Sequence, residues 1–364
     1  MTRGEAYLAL NSVRLIGPVR VRKLLEVFDS PEAILVASPS KLAAVAGVGQ
    51  AVAECIRAWE KNWSLADELK RVAELGLTVI DCESETYPAM LKEIYDPPLV
   101  LYAKGDVTVA SRPGVAVVGS RHTSVYGTGM AKKLGYQLGY AGLSVNSGLA
   151  RGIDTAAHQG ALAAKGKTVA VFGCSLDTVY PPENRALAEK IVEEGGLLLS
   201  EFPLGTPPDR QTFPMRNRIV SGMSKGTVVV EAGAESGALI TAKMALEQGR
   251  TVFAVPGRVD QPHSKGCHQL IKEGAKLVEG VEDILADFEF LFPEAAQPKA
   301  RPALDQLSGE EAKVFEVLGG EELHVDIIIR KSGLPSPVVS SSLLRLEMRK
   351  LVRQLPGRIY VRTD

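Results

Sequence analysis

The sequence predicts an α/β protein in three parts: a doubly wound parallel sheet at the centre, a helical region ahead of it and a small module after it. Three observations predict this. Between residues 100 and 290, short apolar runs alternate with helical stretches. Residues 1–80 carry only short helical patterns, broken by turns that contain Gly or Pro. After Phe292 the run PEAAQPKARPAL is rich in Ala and Pro and poor in large apolar residues, the composition of a linker. The boundaries therefore fall at 1–80, 81–292 and 306–364, with a linker over 293–305.

In the first region, LIGPVRVRKLLEVF and LAAVAGVGQAVAECI each place a Gly-containing turn before an apolar helix, at Gly17 and at Gly47-Val48-Gly49. Both resemble helix-hairpin-helix units of a SAM-like domain, which can offer backbone amides at a helix start to DNA phosphates. Arg14, Arg20, Arg22 and Lys23 make the first unit basic. A packing or partner domain with no nucleic-acid contact is an equally open reading.

In the middle region the apolar runs are VAVV at 115–118, LSV at 143–145, TVAVF at 168–172, LLLS at 197–200, TVVVE at 227–231 and TVFAV at 251–255. Each precedes a helical stretch such as TGMAKKLGYQLGYA or GALITAKMALEQG. Strands apolar on both faces and alternating with helices imply a parallel sheet covered on each side, an extended Rossmann-like arrangement.

The last region has helical patterns at about 309–318, 324–332 and 336–350, followed by LVRQLPGRIYV as a hairpin, which reads as a winged helix with the third helix in the recognition position. Its charge is polarised. Residues 305–326 hold seven acids and one base, whereas residues 327–363 hold eight bases and one acid. Only the second face could meet a duplex, and a partner-binding or structural module is as open as a DNA reader.

Composition narrows the function classes. The chain of 364 residues has a formal charge of −1, with 45% hydrophobic and 23% charged residues, an ordinary globular mixture with ample length for a core. Nine Phe, nine Tyr and two Trp argue against broad base-stacking surfaces. No apolar run approaches the roughly 20 residues that span a bilayer. Arg3, Glu5 and Arg14 interrupt the amino-terminal stretch where a signal peptide would be unbroken. Cys55, Cys82, Cys174 and Cys267 are widely spaced without a CxxC pair, so reduced thiols in the cytoplasm fit best.

Ligands of doubly wound sheets bind beyond the carboxyl ends of the strands. Three loops there share one chemistry. The first strand ends in Gly119-Ser120-Arg121; the second in Ser147-Gly148, continuing to Arg151 and Gly152; the fifth in Glu231, leading to Glu235-Ser236-Gly237. Small residues admit an anion to the backbone, hydroxyls donate hydrogen bonds, and helix amino termini favour negative charge. Any one loop is explained by an ordinary tight turn, but three at one sheet edge indicate an anion site. Neither G-x-G-x-x-G after the first strand nor G-x-x-x-x-G-K-[ST] is present, which disfavours dinucleotide binding and P-loop hydrolysis. A fourth segment, DRQTFPMRNRIVSGMSKG, sets Arg210, Arg216, Arg218 and Lys225 against Asp209, with Phe213 among the cations. Arginine forks match phosphate oxygens and one ring can stack on a base, so the segment reads as a track for a phosphate backbone. A solvated loop with Phe213 in the core is the bland alternative.

These stretches, with YPAMLKEIYDPPLVLYAKG, VAVVGSRHTSVYG, NSGLARGIDTAAHQGAL, FPMRNRIVSGMS, SGALITAKMALEQGR and VFAVPG in this order from Tyr87 to about Ala275, resemble the DNA-processing protein A family (DprA, also called Smf). The resemblance implies a single-stranded DNA-binding homodimer that helps load the RecA recombinase during natural transformation, without catalytic turnover or cofactor. It places the family's GSR arginine on Arg121 and its SGLAxGID loop on Ser147, Gly148, Arg151, Gly152 and the residues through Asp154. It places the FPxRNR segment on Phe213, Arg216, Asn217 and Arg218, and the SGxLITA turn on Ser236, Gly237 and the residues to Ala242. Lys243, just beyond, is a weaker phosphate candidate.

Enzyme readings find less support. Asp154 and His158 stand four apart on one expected helix, a spacing that suits a metal or acid–base pair. No HExxH or Cys/His set completes a site with His122, His263 or His268, so Asp154 reads as a cap or loop anchor and His158 as a packed residue. Ser120, Ser147 and Ser236 lack a G-x-S-x-G elbow. The rival from another class is a nucleotide phosphoribohydrolase of the lysine-decarboxylase-like Rossmann group, with Glu231 or Glu235 near the base. Its PGGxGTxxE motif is absent, and FPMRNR has no purpose in a mononucleotide site.

Overall fold

The computed structural model describes residues 1–288, 307, 309–319, 321–348, 351–355 and 358–362. They fall into two compact units, 1–296 and 297–364. The first is built on a sheet of nine strands: β1 (Thr78–Asp81), β2 (Val100–Gly105), β3 (Gly114–Val118), β4 (Ser144–Ser147), β5 (Thr168–Val171), β6 (Leu197–Ser200), β7 (Gly226–Val229), β8 (Thr251–Ala254) and β9 (Lys276–Leu277). Their order is β1-β2-β6-β5-β4-β3-β7-β8-β9.

From β6 to β9 every pairing is parallel, and all six expected strands lie in this stretch. The sheet as a whole is mixed, because β1 and β2 add an antiparallel pair outside β6. Antiparallel partners need no crossover helix, so these two strands lack the β–α alternation that marks the others.

Alternation within the strands sorts the two faces. Val115 and Val117 pack with Leu134, Leu138 and Ala157 from helices Val125–Tyr140 and Ile153–Ala163. Ala116 and Val118 pack on the other face with Ile219, Ala242 and Leu270 from helices Thr212–Gly222, Gly237–Glu247 and Lys265–Lys272. The chain reverses its direction of travel across the sheet between β3 and β7, so adjacent loops leave for opposite faces there and open a crevice.

The amino-terminal helices are not a free-standing module. Tyr7, Leu24, Ile34 and Ile56 share one core with Val100, Tyr102 and Leu198 of the sheet. The buried Glu68 carboxylate accepts from the Tyr102 hydroxyl at 2.7 Å and the Leu204 amide at 2.8 Å, bolting helix Leu65–Glu74 to the sheet edge.

The second unit has helices Gly309–Leu318, Val325–Ser332 and Ser336–Met348. An antiparallel sheet of β10 (Leu323–His324), β12 (Ile359–Arg362) and β11 (Val352–Leu355) completes a winged helix around Val314, Ile328, Val339 and Leu343. Gly333, at φ 65°, ends the second helix in the left-handed conformation. The expected linker at 293–305 lies outside the described residues, as do 349–350 of the expected third helix.

Candidate nucleic-acid interface

The crevice at the reversal point is a cleft of about 750 Å³. It is walled by the loops after β3, β4 and β7 and by the start of helix Thr212–Gly222. Of the residues singled out from the sequence, Ser120, Arg121, Gly148, Phe213, Arg216, Asn217, Ser236 and Gly237 line it.

Close packing fixes the loops. The Ser120 amide donates to the Glu231 carbonyl at 2.7 Å, tying the β3 loop to the β7 loop. Gly152 sits at φ +80°, where a side chain would also meet the Ser120 carbonyl at 2.4 Å. Asp154, in the first turn of helix Ile153–Ala163, accepts from the Gly148 and Ala150 amides at 3.1 and 3.3 Å. Burial pushes its carboxyl up, and the Arg216 charge with those amides pulls it back. Asp154 is therefore the anchor of the β4 loop. The Ser236 hydroxyl caps helix Gly237–Glu247, accepting from Ala238.

Arg216 is the buried cation of the site. Its Nη1 donates to the Gly148 carbonyl at 2.5 Å and also to the Val171 carbonyl. Burial lowers its guanidinium to about 10, so it stays charged at neutral pH. Arg121 is exposed, with its Cζ 5.1 Å from the centre of the Phe213 ring, and that ring lies 5.6 Å from Tyr180. A positive fork, a half-exposed ring and a second ring thus line one wall, with Arg210 also at the cleft. Tyr180 belongs to none of the motifs singled out in the sequence. Its signal was slight, a Tyr-Pro-Pro run after β5 whose distance from Phe213 is not written in the chain order.

The structure does not bring five candidates into the cleft wall. Ser147 is fully buried and its hydroxyl donates to the Val117 carbonyl at 2.7 Å, pinning β4 to β3. Gly152 supports the Ser120 carbonyl from behind. Lys243 stands exposed on helix Gly237–Glu247, 3.9 Å from Glu247. Arg218 is enclosed: it pairs with the buried Glu201, and its Nε lies 3.1 Å from Asp96. Two carboxylates occupy the guanidinium that the sequence assigned to a phosphate. Arg151 faces a smaller recess shared with Arg121, Gly148 and Phe213, and Glu183 pairs with it there.

Of the groups considered for catalysis, Glu231 and His158 have structural partners, while Glu235 stands exposed at the cleft. Glu231 is buried and accepts from the Ser124 amide at 2.9 Å and the Ser124 hydroxyl at 2.7 Å, closing the amino end of helix Val125–Tyr140. His158 is buried, with Nδ1 2.7 Å from the Thr168 hydroxyl. Among the described residues no three His, Cys, Asp or Glu side chains are grouped to hold a metal ion. No helix there is long and apolar enough to cross a membrane. The four cysteines are free thiols.

Comparison with known proteins follows the same divisions. Residues 78–289 match the model for DNA recombination-mediator protein A, residues 298–358 the DprA winged helix domain, and residues 7–58 a SAM-like helix-hairpin-helix tandem. Protein Smf of Escherichia coli is 41% identical over 288 residues, which are 78% of this chain and 77% of that protein. The DNA processing protein DprA of Streptococcus pneumoniae is 48% identical over 206 residues, 57% of this chain and 72% of that one. Its crystal structure superposes with a TM-score of 0.69 at 38% identity, covering 80% of this chain and 99% of the other. A structure of DNA processing protein A from Helicobacter pylori, described for its single-stranded DNA binding mode, superposes with a TM-score of 0.53 at 28% identity, covering 58% of this chain and 95% of the other. With its motifs on one cleft and a family model matched across the whole sheet, the chain belongs to the DNA recombination-mediator protein A family.

Proposed function

We propose that the cleft binds the backbone of single-stranded DNA and that the protein acts as a recombination mediator, delivering that strand to a RecA-type recombinase as a cytoplasmic homodimer without chemical turnover. The observation that carries this reading is the wall formed by Arg121, Phe213 and Tyr180 above the buried Arg216. Arg121 would hold a phosphate and Phe213 a base, while the loops at Ser120, Gly148 and Ser236 would donate from hydroxyls and amides. Arg216 would contribute through the field of its buried charge and by shaping Gly148. Asn217 and Arg210 extend the polar floor, and Arg151 would join once released from Glu183. Phosphate contacts position a strand without specifying it, so little sequence preference is expected.

The relatives support the reading by family and, for the Helicobacter pylori protein, by the ligand for which its structure is described. The phosphoribohydrolase reading is not favoured: the family model matched is that of a recombination mediator, and Glu231 is committed to the Ser124 cap, which leaves only the exposed Glu235 at the cleft for that role. The test is fluorescence anisotropy with a labelled single strand and the corresponding duplex. The proposal expects tight single-strand binding and clearly weaker duplex binding, and equal affinities would contradict it.

A further inference from the structure

Residues 107–176 contain seven Lys and Arg and a single acid, Asp154, in a chain whose net charge is −1. That acid is buried and bonded to backbone amides, so the exposed surface of the segment carries no carboxylate of its own. Its longest element is helix Val125–Tyr140, which has no acidic residue and begins just past Arg121.

Glycines set how this helix is seated. A Cβ on Gly135 would stand 2.3 Å from the Ala157 carbonyl, and one on Gly160 2.2 Å from the Lys132 carbonyl. The helix therefore meets helix Ile153–Ala163 almost backbone to backbone, leaving a shallow floor between them. Lys132, Tyr136 and Tyr140, spaced by four, form one exposed stripe along its edge. Tyr136 is 46% and Tyr140 57% exposed, and their rings are nearly parallel, 6° apart with centroids at 6.3 Å. Gln159 on the second helix and Lys165 just past its end are exposed as well. Among the described residues, three groups of carboxylates adjoin the two helices: the buried Glu231 at the amino end of helix Val125–Tyr140, Glu282 and Asp283 at the start of helix Val281–Phe288, and the exposed Glu189 and Glu193 on helix Arg185–Glu193, which packs on helix Ile153–Ala163. Asp283 is engaged with the Glu279 and Gly280 amides.

Two aromatic faces one turn apart, in a chain otherwise poor in aromatics, and cations on a segment with no exposed acid of its own are the elements of a base-stacking platform beside a phosphate track. We propose that single-stranded DNA leaving the cleft runs along this face, with bases stacked on Tyr136 and Tyr140 and phosphates held by Lys132 and Lys165. The platform is a second subsite, and it rests on the cleft being where the strand first binds. At 1.5 Å per residue Tyr140 lies about 22 Å along the helix from Val125, so only a strand longer than the cleft reaches it.

Anisotropy with oligothymidylates of about six and about twenty-five nucleotides separates the subsites. Tyr136→Ala/Tyr140→Ala should weaken the long oligonucleotide about tenfold or more and leave the short one within about twofold. Tyr136→Phe/Tyr140→Phe keeps the rings and should restore wild-type binding. Lys132→Ala/Lys165→Ala should flatten the salt dependence for the long strand alone. Equal loss at both lengths, or no loss at either, overturns the platform. So does a shift in sedimentation mass in the Ala variant, which would mark the face as an interface between copies of the chain. Arg121→Ala should weaken both lengths. If it weakens neither while the tyrosine variant still acts on the long strand, the cleft reading fails, and with it the entry of the strand from the cleft, while stacking on Tyr136 and Tyr140 is retained.

Discussion

Gly148 and Arg216 occupy one another's space: Nη1 of Arg216 donates to the Gly148 carbonyl at 2.5 Å, and a Cβ on Gly148 would stand 2.4 Å from the Arg216 Cζ. Since Arg216 is buried and also bonded to the Val171 carbonyl, it has no free direction in which to retreat. The glycine is required by the arginine rather than by its own backbone conformation.

Gly148→Ala should therefore push Arg216 out of register and cost about 1–3 kcal/mol of stability by overpacking. Urea unfolding measures the loss, and single-strand affinity should fall with it even where the variant remains folded. Gly148→Ala/Arg216→Ala should recover part of the stability without recovering binding.

The parallel heart of the fold was legible because β-branched runs such as TVAV and GTVV are short, apolar on both faces and followed by helices. β1 and β2 were not, since TVID and VLYAKG find their partners by antiparallel pairing at the sheet edge. In the site, residue types were legible and burial was not. Arg216 and Arg218 sit two apart on one helix, so they point in different directions, one toward the β4 loop and the other toward Glu201. Which of them borders the cleft depends on a carboxylate just past β6, Glu201, and nothing in FPMRNR records it. Tyr180 reaches Phe213 from the loop beyond β5, again through tertiary packing.

Arg218→Ala should act on stability first. It would leave the buried Glu201 carboxylate without its cation, at a cost of about 3–5 kcal/mol. Burial already pushes that carboxyl up, and Arg218 is what opposes the shift. Arg218→Met/Glu201→Met should recover much of the loss in chemical unfolding. A phosphate-binding Arg218 would instead lose affinity with little change in stability.

His158 should leave a signature in the pH dependence of stability. Thr168 donates its hydroxyl proton to the Val145 carbonyl at 2.6 Å, so it accepts from His158 Nδ1–H, and burial lowers the imidazole to about 3. The unfolded chain takes up this proton near 6.5, before the folded chain does. Stability should therefore fall as pH drops from about 6.5 toward 3, with a slope near 1.4 kcal/mol per pH unit from this group. His158→Gln should remove that slope from a series of unfolding curves taken across the window.

The salt dependence of single-strand binding by Arg121→Ala tests the cleft most directly. Anisotropy titrations of the wild type and the variant, each across a salt series, should show weaker binding by the variant and a slope of log affinity against log salt reduced by about 0.7, the share of one lost phosphate contact on a single strand. Matching affinity at every salt concentration would contradict the assignment of Arg121, and with it the cleft as the DNA site.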